Sequence, residues 1–291
     1  MENKPWTILQ ILNWTAQYLD QKGIESGRLN AERMLGHALG KNRLDLYLEY
    51  DCPLAPSDLI AYKSLLRKRT SGLPLQYVLG ETEFFSLPFS VRPPVLIPRP
   101  ETEILVQAAL DRLRGMEGPL WAADIGTGSG SIAVALAAHL DAVTIYATDC
   151  SEEAIALAGE NARRNGVSDR ITFLCGDLLS PLESLSLPNG FHAILSNPPY
   201  VRTDEWEALP VEIRDHESRM ALDGGPDGLL FYRRLAAGAG RCLASNGFLA
   251  VEVGDGQAEA VQEILRGEGG LSEIEVIEDL NGIARVIVAG R

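Results

Sequence analysis

Beyond Lys68 this 291-residue chain contains no lysine at all. Residues 101–291 carry 30 acidic and 14 basic side chains, every basic one an arginine, for a net charge of −16. Residues 1–75 carry 10 basic and 8 acidic side chains, a net of +2, and residues 76–100 carry two of each. The whole chain stands at −14. Proteins that bind phosphate backbones without regard to sequence draw their affinity from cationic side chains, so no direct nucleic-acid partner is expected. Cysteine is scarce as well. Cys52, Cys150, Cys175 and Cys242 form no C-x-x-C pair, and His37, His139, His192 and His216 do not cluster with them. That spacing excludes the usual zinc arrangements and a disulfide framework, and it fits free thiols in a reducing cytoplasm. No apolar run approaches the ~20 residues that span a bilayer, so no membrane partner is expected. The opening MENKPWT lacks the hydrophobic core of a signal peptide.

The length suggests about two domains, and the texture changes where the charge does. In residues 1–75, Ile8, Ile11, Leu12, Thr15 and Leu19 recur at helical spacing, as do Ala31, Met34, Leu35, Ala38 and Leu39. A third stripe of Leu59, Ile60, Leu65 and Leu66 runs through 57–69, with Ser57 as a candidate cap. These predict a small helical bundle. Residues 76–100 read as a proline-rich connector, with Pro88, Pro93, Pro94, Pro98 and Pro100 among aromatic and β-branched residues. Within it, Phe84-Phe85 and Phe89-Ser90-Val91 can pair as a hairpin across Ser86-Leu87-Pro88. From 101 to 291, short apolar runs (121–125, 143–148, 171–175, 191–196 and 248–253) alternate with helical stretches. That alternation predicts an α/β domain, an open and mostly parallel sheet covered on both faces. Asn281-Gly282, between apolar runs 274–278 and 283–289, predicts an antiparallel hairpin that closes it.

A glycine loop, Gly126-Thr127-Gly128-Ser129-Gly130, follows the first of these strands and opens a helix. Glycine lets backbone turn tightly and approach a ligand where a Cβ would collide. A dinucleotide site uses G-x-G-x-x-G, an alternative that stays open, but here the third glycine comes one residue early. The compressed G-x-G-x-G resembles motif I of S-adenosylmethionine-dependent methyltransferases. Asp149 ends the second strand, where a carboxylate can accept ribose hydroxyls. Asp177 ends the third, in reach of an adenine amino group, with Leu178 against the ring.

The fourth strand, 191–196, stops at Asn197-Pro198-Pro199-Tyr200. Two prolines forbid ladder hydrogen bonds and hold the chain extended. At a carboxyl strand end beside the glycine loop, the Asn197 side-chain carbonyl and the Pro198 main-chain carbonyl can accept both hydrogens of a planar –NH2 group. Tyr200 can wall the site. Such a nitrogen is a poor nucleophile, and two fixed acceptors orient it and favour the charge that grows on it. The reacting atom is therefore expected to be an sp2 nitrogen.

Several segments together resemble the peptide chain release factor glutamine N5-methyltransferases over nearly the whole chain. They are residues 72–80 (GLPLQYVLG), 95–103 (VLIPRPETE), the glycine loop, Asn197–Tyr200, 222–229 (LDGGPDGL) and the 279–286 ending. The resemblance implies a class I methyltransferase: a Rossmann-like, seven-stranded sheet with an antiparallel terminal hairpin, behind a helical substrate-docking domain and a hairpin linker. It implies methyl transfer from S-adenosylmethionine, yielding S-adenosylhomocysteine, to the glutamine amide in the Gly-Gly-Gln loop of class 1 release factors. Gly126, Thr127, Gly128, Ser129, Gly130, Asp149, Leu178 and Asn197 would contact the cofactor. Asn197, Pro198, Pro199 and Tyr200 would hold the glutamine, with Arg99 and Glu101 supporting the rim. Glu217-Ser218 departs from the Glu-Pro common in that family. The Asn-Pro-Pro-Tyr turn is shared with DNA and RNA amino-methyltransferases, which work on a flipped base, and a cofactor-binding regulator without catalysis is a third reading.

Overall fold

The computed structural model describes residues 5–185 and 187–291. They fall into two compact units that divide between Gly80 and Glu81. No helix among the described residues is long and apolar enough to cross a membrane.

Among the described residues the first unit is five helices: α1 (Ile8–Gln21), α2 (Gly27–Leu39), α3 (Arg43–Leu48), α4 (Pro56–Thr70) and α5 (Leu75–Leu79). Thr7 and Gln10 form a reciprocal capping box at the head of α1, and its buried face is Ile8, Ile11, Leu12, Thr15 and Leu19, the stripe read from the sequence. A cap contributes about 1 kcal/mol, whereas each fully buried Leu or Met contributes roughly 2 kcal/mol. The shared core of Leu19, Met34, Leu35, Leu46, Tyr62 and Leu66 therefore decides how these helices pack. In α4 two expectations fail. Ile60 is 72% exposed, because the face that meets the core runs through Tyr62, Leu66 and Arg69 at i+4 and i+3 spacing. Ser57 does not cap the helix. Pro56 occupies the first turn, Ala55 precedes it, and the Asp58 carboxylate accepts from the Ala55 N–H at 3.2 Å.

The second unit begins with a hairpin, β1 (Glu81–Phe84) and β2 (Leu87–Ser90). Its turn is Phe85-Ser86 rather than Ser86-Leu87-Pro88, since Phe84 pairs directly with Leu87. Both turn residues are left-handed, with φ of 51° and 59°, as a two-residue turn matched to strand twist requires. Neither is glycine, so the conformation needs outside support. The Phe85 N–H donates to Glu103 Oε1 at 2.7 Å, and the Phe85 ring stands edge-on to His139.

There follow α6 (Thr102–Leu113), β3 (Leu120–Ile125), α7 (Ser131–His139), β4 (Val143–Asp149), α8 (Glu152–Arg164), β5 (Ile171–Cys175) and β6 (Phe191–Ser196). After these come a short α9 (Val211–Arg214), α10 (Leu230–Cys242), β7 (Leu243–Glu252), α11 (Ala258–Gly267), β8 (Glu273–Glu278) and β9 (Ala284–Gly290). The seven strands β3–β9 order as β5-β4-β3-β6-β7-β9-β8. All neighbours are parallel except β9, which runs antiparallel to β7 and β8. This is the predicted sheet with its antiparallel end. The last turn is wider than Asn281-Gly282 alone, with Asp279 accepting from the N–H groups of Asn281 and Ile283. The sheet is covered on both faces, by one cluster that includes Leu105, Val134, Leu136 and Leu195 and another that includes Ile194, Tyr232, Leu249 and Leu265. Strand order reverses between β3 and β6, and the crevice beyond the carboxyl ends of such strands is where open α/β sheets bind ligands.

Candidate active site

Register places the two sequence motifs side by side. Ile125 at the end of β3 pairs with Ser196 at the end of β6, so Gly126 and Asn197 leave the sheet as neighbours. The Ser196 hydroxyl donates to the Ile125 carbonyl at 2.8 Å and fastens the two ends together.

The glycine loop is tied down from beneath. Gly126 and Thr127 N–H groups donate to the Thr148 carbonyl at 2.8 and 2.9 Å. Asp124, wholly buried, accepts on Oδ2 from the Thr127 hydroxyl at 2.6 Å and the Ala133 N–H at 3.1 Å. Burial pushes its carboxyl up to about 7 against those bonds. The three glycines divide into two roles. Gly126 and Gly128, at φ of 72° and 54°, line the cavity, and a Cβ on either would enter open space. Gly130 does not line it. A Cβ there would sit 3.0 Å from the Ala158 Cβ, so this glycine lets α7 pack against α8.

Asp149 faces the loop. Its Oδ2 accepts from the Gly128 N–H and its Oδ1 from the Ser151 N–H, each at 2.9 Å, and each oxygen keeps a lone pair for a ligand. Asp177 lines the same cavity, but its side chain is exposed and paired with Arg234 at 2.5 Å. Leu178 is held at φ 48°, its carbonyl accepting from the Thr148 hydroxyl at 2.9 Å. It also lines the cavity, as do Thr127, Ser129 and an apolar wall from Pro94 to Pro98 with Met220 and Phe231.

At the other end, Asn197 and Pro199 line the cavity while Pro198, Tyr200 and Glu101 do not. Tyr200 packs against the β6–β7 side of the core. Burial first, and then nearby Glu252, pushes its phenol up to about 12. Its carbonyl accepts from Gln257 Nε2 at 2.9 Å. The residues after the turn are pinned to the 222–229 loop, with the Val201 N–H on the Leu222 carbonyl and the Gly224 N–H on the Val201 carbonyl. Arg99 lines the cavity, and its partner is not in the connector. Its guanidinium pairs with Glu217, whose side chain is 1% exposed. Burial raises the Glu217 carboxyl, and Arg99 holds it down. That pair anchors the segment whose Ser218, Met220 and Ala221 close one side of the cavity.

Two residues escaped the sequence reading. Glu252, 2% exposed at the end of β7, accepts on Oε2 from the Thr102 hydroxyl at 2.6 Å. Thr102 in turn accepts from Asn197 Nδ2 at 3.0 Å. The signal for Glu252 was an acid inside the apolar strand FLAVEV, a placement that costs free energy unless the group is bonded. Thr102 was visible only as a member of the 95–103 segment.

Similarity to known proteins follows the same two-part division. Residues 10–80 match the family model described as PrmC N-terminal domain, and residues 102–219 match the one described as Methyltransferase small domain. The release factor glutamine methyltransferase of Geobacter sulfurreducens is 45% identical over 99% of this chain and 98% of its own. That of Moorella thermoacetica is 42% identical over 98% and 99%. Among solved structures, a methyltransferase from Pyrococcus furiosus superposes with a TM-score of 0.50 at 21% identity, covering 71% of this chain and 91% of that one. The human methyltransferase 10 domain containing protein gives 0.54 at 18%, covering 71% and 89%. These two show the shared fold.

Proposed function

This chain belongs to the release factor glutamine methyltransferases, and on that footing we propose that it methylates the side-chain amide nitrogen of the glutamine in the Gly-Gly-Gln loop of class 1 peptide chain release factors. The observation that carries the reading is the placement of Asn197 beside the glycine loop, on the wall of one cavity.

S-adenosylmethionine is the proposed methyl donor. The residues present fit it: open space stands over Gly126 and Gly128 where a Cβ would intrude, and the Asp149 carboxylate faces that space from the end of β4. Leu178 and the Pro94–Pro98 wall offer apolar surface for a flat ring. Gly130 serves helix packing, and Asp177 acts at the rim through its bond to Arg234. When bound, the cofactor supplies an electrophilic methyl group.

What the chain's own residues do is orient the acceptor. The Asn197 side-chain oxygen takes one hydrogen of the substrate –NH2, which turns the nitrogen lone pair toward the cofactor side; the proposed second acceptor is the main-chain carbonyl of Pro198, a residue beside the cavity wall rather than on it. Both acceptors favour the positive charge that develops on that nitrogen, and positioning of this kind supplies much of the rate. No base is needed beforehand, because an N-alkylated amide cation is strongly acidic and gives its proton to water. Tyr200 braces the turn from behind. The helical unit, put at residues 1–75 by the sequence, is the proposed docking element for the rest of the release factor. Remote binding energy of that kind positions a flexible loop.

Purified protein, labelled S-adenosylmethionine and a class 1 release factor test the proposal. Label enters the wild-type factor and not one whose loop glutamine is alanine. Equal labelling of both factors contradicts the assigned acceptor.

A further inference from the structure

The Asn197 amide has two ends of opposite hydrogen-bonding sense, and only one of them helps a substrate –NH2. Its oxygen accepts; its nitrogen would meet the substrate donor to donor. Something in the protein must choose between the two orientations, which have nearly the same shape.

The choice is made at Thr102, on the cavity wall, and at Glu252 behind it. Above about pH 7, where Glu252 is ionised, its carboxylate only accepts hydrogen bonds, and a threonine hydroxyl has one hydrogen to give. Glu252, at the end of β7, lies 2.6 Å from the Thr102 hydroxyl and takes that hydrogen. The Thr102 oxygen is then left with lone pairs alone, so toward Asn197, 3.0 Å away, it can only accept. The Asn197 end facing Thr102 must be the –NH2, and the carbonyl oxygen must point the other way. Glu252 and Thr102 are each 2% exposed, so water does not offer Asn197 an alternative partner there. Three segments far apart in sequence supply the relay: the first residue of α6, the residue after β6, and the last of β7.

We propose that Glu252 and Thr102 are positioning residues that set the sense of the Asn197 amide and hold its carbonyl oxygen toward the substrate. Both act through Asn197, Thr102 from the cavity wall and Glu252 from behind it. The inference rests on the acceptor role proposed above for Asn197, and it explains why an acid is kept in an otherwise apolar strand.

Three variants of the full chain test it: Thr102→Val, Thr102→Ser and Glu252→Gln. Valine keeps the volume and removes the relay. It lowers kcat on a release factor about tenfold or more, the scale of a misplaced catalytic contact, with the Kd for S-adenosylmethionine little changed. Serine keeps the hydroxyl and restores most of the rate. Glutamine at 252 can present either a donor or an acceptor to Thr102 and gives an intermediate kcat. A second readout needs no methyl transfer. The side-chain amide protons of Asn197, followed by 15N NMR, exchange slowly in the wild type and the serine variant and rapidly in the valine variant. If valine at 102 unfolds the chain, the glutamine variant carries both measurements. Wild-type kcat and unchanged amide protection in the valine or glutamine variant overturn the inference, and so does an equal loss in the serine and valine variants. A wild-type chain that labels no release factor contradicts the proposed activity instead, while the amide exchange still decides whether the relay exists.

Discussion

Arg99 and Glu217, 118 positions apart, meet through a single guanidinium nitrogen that lies 2.7 and 2.6 Å from the two carboxylate oxygens. Glu217 is buried and Arg99 partly so. Breaking such a pair from one side leaves an uncompensated charge in the interior, at a cost of about 3 kcal/mol. Arg99→Ala is therefore expected to lower the stability measured by urea unfolding by about that amount. The double variant Arg99→Met with Glu217→Met regains most of it, because two apolar side chains leave no charge behind. Single and double variants of equal stability would show that the pair does not hold the loop.

Gly128→Ala separates backbone strain from ligand exclusion. The left-handed φ of 54° costs an alanine about 1–2 kcal/mol, and no protein atom lies within 4 Å of the added carbon. The Tm should fall by a few degrees, about what that cost implies. The affinity for S-adenosylmethionine, measured by calorimetry, should fall by more than about tenfold because the methyl enters the cofactor's space. Unchanged affinity would remove the glycine loop from the cofactor site.

Asn197→Ala takes away the acceptor itself. Loss of one preorganised contact at a developing charge lowers kcat by about 10² to 10³, and the change should appear in kcat more than in the KM for the release factor. A variant within threefold, roughly half a log unit, of wild-type kcat is incompatible with the assigned role.

Buried acids with raised carboxyls make stability fall as pH rises, Asp124 and Glu252 foremost. Burial pushes Asp124 up to about 7, and burial pushes Glu252 up to about 7 as well, with smaller opposing effects from their hydrogen bonds. In the unfolded chain both lose their protons near pH 4. Between about pH 4 and 7 the native state thus binds more protons than the unfolded one, and the native state loses stability as pH climbs through that window. Glu252→Gln removes one of these contributions. Its urea-unfolding free energy should decline less steeply over pH 5 to 7 than that of the wild type, conditions in which about one fewer proton is taken up on folding. Parallel slopes would place the Glu252 titration elsewhere.

Fold and site were legible from the sequence to different depths. Strand–helix alternation and the α1 stripe predicted elements that the structure keeps, because burial dominates local preferences there. The failures are local choices. Ile60 and Tyr62 both suit a buried face, and only the direction from which the bundle packs selects Tyr62. The Phe85-Ser86 turn lacks glycine or asparagine, so the usual hairpin signal is missing, and contacts with Glu103 and His139 support it from distant segments. In the site, Asn197 and the first two glycines could be found because each motif is contiguous. The Glu217 partner of Arg99 and the Glu252–Thr102 relay join residues more than a hundred positions apart. No local pattern encodes such pairs; they exist only once the sheet has brought strand ends together.

The identity of the methylated nitrogen separates a protein acceptor from a nucleic-acid one. Incubate the full chain with labelled S-adenosylmethionine and, in parallel, a class 1 release factor, DNA and rRNA, then map the product by mass spectrometry. The predicted result is a single methyl group on the glutamine of the Gly-Gly-Gln loop. Methylated bases in DNA or rRNA, with an unmodified release factor, would contradict it.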